Sequence, residues 1–244
     1  MDTLTQQLAE ALLREKKYKR KNGIYYYTQI YMAYNSNRIE GSRLSEEHTR
    51  TLFETHTLLP NGKEVIYSDD VIEANNHFRA FDYMLMAYKE PLTEDFMKKL
   101  QALIVENTAE SHEDYFNVGE YKKLGNVIGF KETVEPEDVP AAMLQLINGY
   151  SKKSNITLDD ILAFHVRFES IHPFQNGNGR VGRLLMYKEC LRTGIFPFVI
   201  TDDLKPFYIR GLNEYGHEKG YLTDTCLLAQ DRYKLICKRL VQGE

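Results

Sequence analysis

Twelve residues, His172-Pro173-Phe174-Gln175-Asn176-Gly177-Asn178-Gly179-Arg180-Val181-Gly182-Arg183, concentrate a proton acceptor, a glycine-rich turn and two guanidinium groups. Before them, Ile161, Phe164, Phe168 and Ile171 recur at helical spacing. Pro173 cannot continue that helix, because it lacks an N–H and clashes with the preceding turn. Gly177 and Gly179 permit backbone conformations that a Cβ would forbid. Val181, Leu184, Leu185 and Leu191 then resume a helical stripe. The segment therefore reads as helix, tight loop, helix, with the loop's free N–H groups opening the second helix. Such an end attracts anions through unpaired N–H groups and the helix dipole. Arg180 and Arg183, three apart, are neighbours on one helix face. Two cations beside an anion nest point to a polyphosphate, and His172 at its mouth points to proton transfer.

The twelve residues resemble the signature of the Fic family, H-P-F-x-[D/E]-G-N-G-R-x-x-R. Every fixed position matches except Asn176, which stands where the family has an acid. The resemblance implies an all-α helical bundle with a small β-hairpin flap. It implies transfer of a nucleoside monophosphate, typically AMP from ATP, to a Ser, Thr or Tyr hydroxyl of a protein, with self-modification as a further outcome. His172 would be the general base. Gly177, Asn178 and Gly179 would surround the α- and β-phosphates, Arg180 would steady the β/γ end and Arg183 the γ-phosphate. The family's acid helps hold Mg²⁺, a hard cation that prefers carboxylates, phosphates and water. Asn176 offers only a neutral amide oxygen there, so the metal, Mg²⁺ or Mn²⁺, would lean on the phosphates. The expectation is a weakened transferase. A nucleotide-gated binding module with little turnover is the rival from another class.

A second segment, Ser36-Asn37-Arg38-Ile39-Glu40-Gly41, resembles the family's inhibitory motif, [S/T]-x-x-x-E-[G/N]. Ser36 and Glu40 are four apart and face one side of a helix. Gly41 can take the left-handed conformation that ends it. The natural partner for Glu40 is Arg183, in a charge-assisted bond that would keep Arg183 from the γ-phosphate. A related activity, hydrolytic removal of AMP, would use the same glutamate to orient a water.

The rest of the chain must position these groups. Its 244 residues, 43% hydrophobic and 27% charged, are ordinary for a globular protein. A net charge of −4 gives no general attraction to nucleic acid. The basic run from Arg14 to Lys21 reads as a solvated helix end. Cys190, Cys226 and Cys237 lack paired spacing, so reduced thiols and a cytoplasmic setting are expected, with Cys190 in the core. No apolar stretch approaches a membrane span or a secretion signal.

Periodicity predicts a single domain over 1–244. N-terminal helices occupy 1–60, including the inhibitory helix at about 24–41, and the catalytic core covers about 68–240. Ser45, Ser68, Thr93 and Thr157 read as N-caps, Thr157 with Asp160 as a capping box. Pro136 opens a helix, and two more, at about 203–218 and 222–240, close the chain. Phe207, Tyr208, Tyr215 and Tyr233 are expected in the core. Gly125-Asn126, followed by Val127 and Ile128, suggests a hairpin turn. This resembles the family's flap, with Asn126, Val127 and Ile128 docking a target segment through backbone bonds. The expected partners are thus ATP, a protein substrate and a further copy of the chain, without nucleic acid or membrane.

Overall fold

The computed structural model describes residues 3–18, 20–60, 62, 64–128 and 131–242; for Ile128, Lys131 and Gln242 only the backbone is described. The fold is all-α. Its helices are α1 (Thr3–Tyr18), α2 (Ile24–Ile39), α3 (Glu46–Thr55), α4 (Ser68–Met86), α5 (Glu94–Val105), α6 (Val139–Ser151), α7 (Leu158–Ile171), α8 (Asn178–Thr193), α9 (Lys205–Glu214) and α10 (Gly220–Cys237). A π-helical turn over Lys238–Gln242 extends the last. Two short strands, β1 (Val127–Ile128) and β2 (Lys131–Glu132), pair antiparallel, Val127 opposite Glu132.

Helix α8 is the centre of the bundle. Every residue from Arg180 to Leu191 is buried. It packs against α7, α5, α4 and α2, which leaves no side for a polar stripe. A helix enclosed on all sides must satisfy its charges internally. Lys188 does so through the carbonyl of Glu90 and the carboxylate of Glu189, which also accepts from Tyr150 and Arg192. The core continues through Phe81, Phe168, Phe174, Tyr187, Tyr208 and Tyr233. All three cysteines are buried and unpaired. No helix among the described residues is long and apolar enough to cross a membrane.

Most expected caps form. Ser45 accepts from the His48 N–H, Thr93 from that of Phe96, and Thr157 with Asp160 makes a full capping box. Ser68 does not cap; Tyr67 precedes α4 without a side-chain bond. Pro136 opens a 3₁₀ turn (Pro136–Asp138) ahead of α6. Of the basic run, Arg14, Lys17, Arg20 and Lys21 are exposed, Lys16 is half-buried against Asp82, Lys19 lies outside the described residues, and Glu15 is buried. Its carboxylate accepts from the Tyr25 N–H at 3.0 Å and so caps α2 from the end of α1. Gly23 makes room for this, since a Cβ there would lie 2.2 Å from Glu15 Oε2. Phe207 is exposed, while Tyr208 and Tyr233 are core residues. Gly125-Asn126 lies before β1 and so does not join the two strands; residues 129–130, between β1 and β2, lie outside the described residues.

Candidate active site

Helix α7 ends at Ile171, and His172 follows in the left-handed conformation, φ 51° and ψ 61°. A non-glycine residue pays about 1 kcal/mol for this. The His172 N–H donates to Phe168 O at 2.9 Å, which closes the helix and turns the chain sharply. Phe174, fully buried, anchors the turn, a burial worth ~1.5–3 kcal/mol. Gly177 supplies the second left-handed residue, φ 86°, and packs so close to α5 that a Cβ would meet Val105 Cγ1 at 3.1 Å. Helix α8 starts immediately after it.

The Asn178 amide holds the turn in place. The side chain is buried. Its Oδ1 accepts from Phe174 N at 2.9 Å, and its Nδ2 donates to Phe174 O at 2.8 Å. Both ends of the amide hold the loop.

Arg183 is buried at the floor of the site. Its Nε donates to Ser36 Oγ at 3.0 Å, and one terminal nitrogen donates to Ser36 O at 2.9 Å and to Glu40 Oε1 at 2.6 Å. Ser36 and Glu40 thus grip one guanidinium from the last turn of α2. Gly41, φ 106°, ends that helix. The Glu40 carboxylate also lies over the first turn of α8, where a Cβ on Gly179 would be 2.3 Å from Oε1. Burial pushes the Glu40 carboxyl up, but Arg183, Arg180 and His172 outweigh it and hold it below its ordinary range. About a third of the side chain, 35%, stays exposed.

Arg180 points elsewhere. It is buried, with Nη1 2.7 Å from Glu73 Oε1 of α4 and Nη2 donating to Asn176 Oδ1 at 3.2 Å. Asn176 is fully engaged: Oδ1 also accepts from Gly177 N, and Nδ2 donates to Glu110 Oε2 at 2.6 Å. A carboxylate therefore sits beside the position where the sequence lacks one.

A cavity of about 340 Å³ joins His172, Gly179, Arg183, Glu40, Tyr208 and Thr133. Arg180 and Asn176 are not among its lining residues. Of the hairpin, Glu132 and Thr133 reach the cavity, whereas Val127 is exposed and Asn126 turns its amide to Phe174 O at 3.2 Å. Burial and the nearby Lys122 ammonium lower the His172 imidazole to about 4, against a smaller pull from the Glu169 carbonyl and Glu40. His172 is neutral at pH 7 and able to accept a proton.

Three ionisable groups near the site carried no sequence signal beyond their spacing. Glu169, one helical turn before His172, lines the cavity and is raised to about 8 by burial, Arg183 opposing and Glu40 assisting. It is protonated at neutral pH. His165 is buried, lowered to about 3, and its Nε2 lies 2.6 Å from Tyr208 Oη. His77 of α4 is likewise buried and lowered to about 3, by burial and by Arg183 and Arg180. Gly182 permits this crowding, since a Cβ there would lie 2.6 Å from Glu169 Oε1 and 2.7 Å from His165 Cε1.

Residues 91–190 match the Fic/DOC family. The chain is 26% identical over 187 residues to protein adenylyltransferase Fic of Nematostella vectensis, covering 75% of this chain and 42% of that protein. It is 24% identical over 190 residues to protein adenylyltransferase fic-1 of Caenorhabditis elegans, covering 76% and 36%. The chain thus spans less than half the length of these curated relatives. In structure it is similar to a Fic-domain signaling protein of Bacteroides thetaiotaomicron, with TM-score 0.77, 23% identity, and 99% of this chain and 98% of that one covered. It is also similar to Fic-1 of C. elegans, with TM-score 0.72, 17% identity, and 99% and 71% covered. The motif at the cavity and the helical bundle agree with these likenesses: residues 91–190 match the Fic/DOC family, and the chain has the fold of solved Fic-domain proteins.

Proposed function

We propose that this chain is a protein adenylyltransferase that moves AMP from ATP to a Ser, Thr or Tyr hydroxyl, and that Glu40 restrains it. The observation that carries this is the convergence of His172, the N-terminus of α8 and Arg183 on one cavity. The target hydroxyl attacks the α-phosphorus and its proton passes to His172. The new O–P bond forms as the bond to the β-phosphate oxygen breaks, and pyrophosphate leaves with the electron pair. The backbone N–H groups that open α8 and the Arg183 guanidinium favour the charge on the leaving group. An imidazole lowered to about 4 is a weak base. The negative phosphates of a bound nucleotide raise it toward working pH. Arg180, held by Glu73, adds positive potential without leaving its pocket.

Glu40 occupies the approach to Gly179 and binds Arg183, so a γ-phosphate meets both a filled site and a like charge. Magnesium, or manganese, would accompany the nucleotide. Asn176 spends its oxygen on Gly177 and Arg180, but Glu110 brings a carboxylate beside it. That set fits a hard cation held mainly by phosphates and water. When bound, the ion neutralises phosphate charge. The hairpin edge would dock an extended target segment by strand pairing. A second reading, hydrolytic removal of AMP, draws on Glu40 and His172 lining the same cavity.

Mass spectrometry of the chain after incubation with ATP and each metal, for wild type and Glu40→Gly, tests this. A mass gain of one adenylyl group, larger in the variant, is expected. Nucleotide binding without any covalent product in either protein would make the chain a binding module instead.

A further inference from the structure

Lys122 is a buried lysine on the segment leading into the hairpin. Its ammonium donates to Asn126 Oδ1 at 2.7 Å, to Thr133 Oγ1 at 2.6 Å and to Ile171 O at 3.4 Å. Its backbone N–H donates to Pro173 O at 2.9 Å. Asn126 and Thr133 are the two feet of the hairpin, just before β1 and just after β2. Asn126 Nδ2 in turn donates to Phe174 O, and Leu124 N to Gln175 Oε1 at 3.3 Å. The backbone on both sides of His172 is therefore tied to the hairpin's base by a short run of residues, with one ammonium at its centre.

We propose that Lys122 is a positioning residue that couples the hairpin to His172, clamping the hairpin's two feet together and fastening them to the carbonyls that flank the imidazole. This goes beyond the transfer reading and, for its rate consequences, rests on it. A purely structural ammonium would need only acceptors. This one has a second effect, because it faces His172 and helps keep that imidazole neutral. Burial lowers Lys122 itself to about 8, with Glu135 opposing. Its charge, and with it the clamp, is thus sensitive to mild alkali. The charged groups facing His172 are Lys122 from the hairpin approach and Glu40 from α2, and Glu169 of α7 presents its carbonyl.

The clamp assigns two jobs to one charge, and the two can be read separately. In Lys122→Met the His172 imidazole should titrate higher by NMR, since a neighbouring cation is gone. The Thr133 amide, bonded to Asn126 O at 3.3 Å, should lose protection from hydrogen exchange. Lys122→Arg should restore most of both. If transfer occurs, Lys122→Met in a Glu40→Gly background should lower kcat by about ten- to a hundredfold and change the KM for ATP little, because Lys122 does not touch the anion nest. Should Lys122→Met fail to fold, Asn126→Ala removes one of the ammonium's two short acceptors and keeps the charge. It should then expose the Thr133 amide while leaving the His172 titration in place. An unchanged His172 titration together with an unchanged Thr133 exchange rate in Lys122→Met would overturn the proposal. Both readouts are independent of catalysis, so the absence of AMP transfer would count against the transferase reading and not against the clamp.

Discussion

Glu40 and Arg183, 143 positions apart in the chain, meet at 2.6 Å, with the carboxylate lying where the first turn of α8 would receive an anion. The contact is shared with Ser36, which holds the same guanidinium through both its hydroxyl and its carbonyl. Loss of Glu40 alone would free the anion site without releasing Arg183 from its seat.

Glu40→Gly should therefore tighten ATP binding. A charge-assisted bond at a partly exposed carboxylate is worth ~1.5 kcal/mol, about tenfold in affinity by calorimetry. Ser36→Ala in that background should then weaken binding, because Arg183 loses its orienting hydroxyl. Equal affinities for wild type and Glu40→Gly would mean that Glu40 does not compete with the nucleotide.

His172→Ala should lower transfer by ~10²–10⁴-fold and leave nucleotide affinity nearly unchanged, because in the proposed reaction the backbone N–H groups of α8 and the Arg183 guanidinium would supply the anion contacts. Incorporation of labelled nucleotide at near-normal rate would remove His172 as the base.

Asn176→Asp places a second carboxylate beside Glu110, where an amide now donates at 2.6 Å. Two like charges at that distance repel unless a cation lies between them or one takes a proton. The variant should show a lower Mg²⁺ requirement for nucleotide binding, and Glu110→Gln should raise that requirement in the wild-type background. A calorimetric metal titration indifferent to both changes would exclude this corner as the cation site.

Glu169 carries a proton that most glutamates have lost at neutral pH. Its folded-state pKa, about 8, exceeds the ordinary glutamate value of 4.5. The folded state therefore binds the extra proton between those values, and stability falls as pH rises through that window. Glu169→Gln has no proton to lose. Its melting temperature relative to wild type should climb from pH 5 to pH 8, and parallel melting curves across that range would show that Glu169 is ionised in the fold.

The sequence by itself determined the features that depend only on spacing within an element. The break at Pro173, the left-handed Gly177, the shared face of Ser36 and Glu40, and the capping box at Thr157 are local, because a helix repeats every 3.6 residues whatever surrounds it. Charge and motif together even named Arg183 as the partner of Glu40. Other pairings were invisible, because packing alone brings distant positions together. Asn178 is spent on Phe174 because the buried loop needs its backbone satisfied. Asn176 meets Glu110 across 66 positions, and Arg180 meets Glu73 of a different helix. Lys122 became central only when the hairpin folded onto the His172 turn. Glu169 and His165 gained their shifted protonation from burial against Gly182, a property of the enclosing helices and not of the residues themselves.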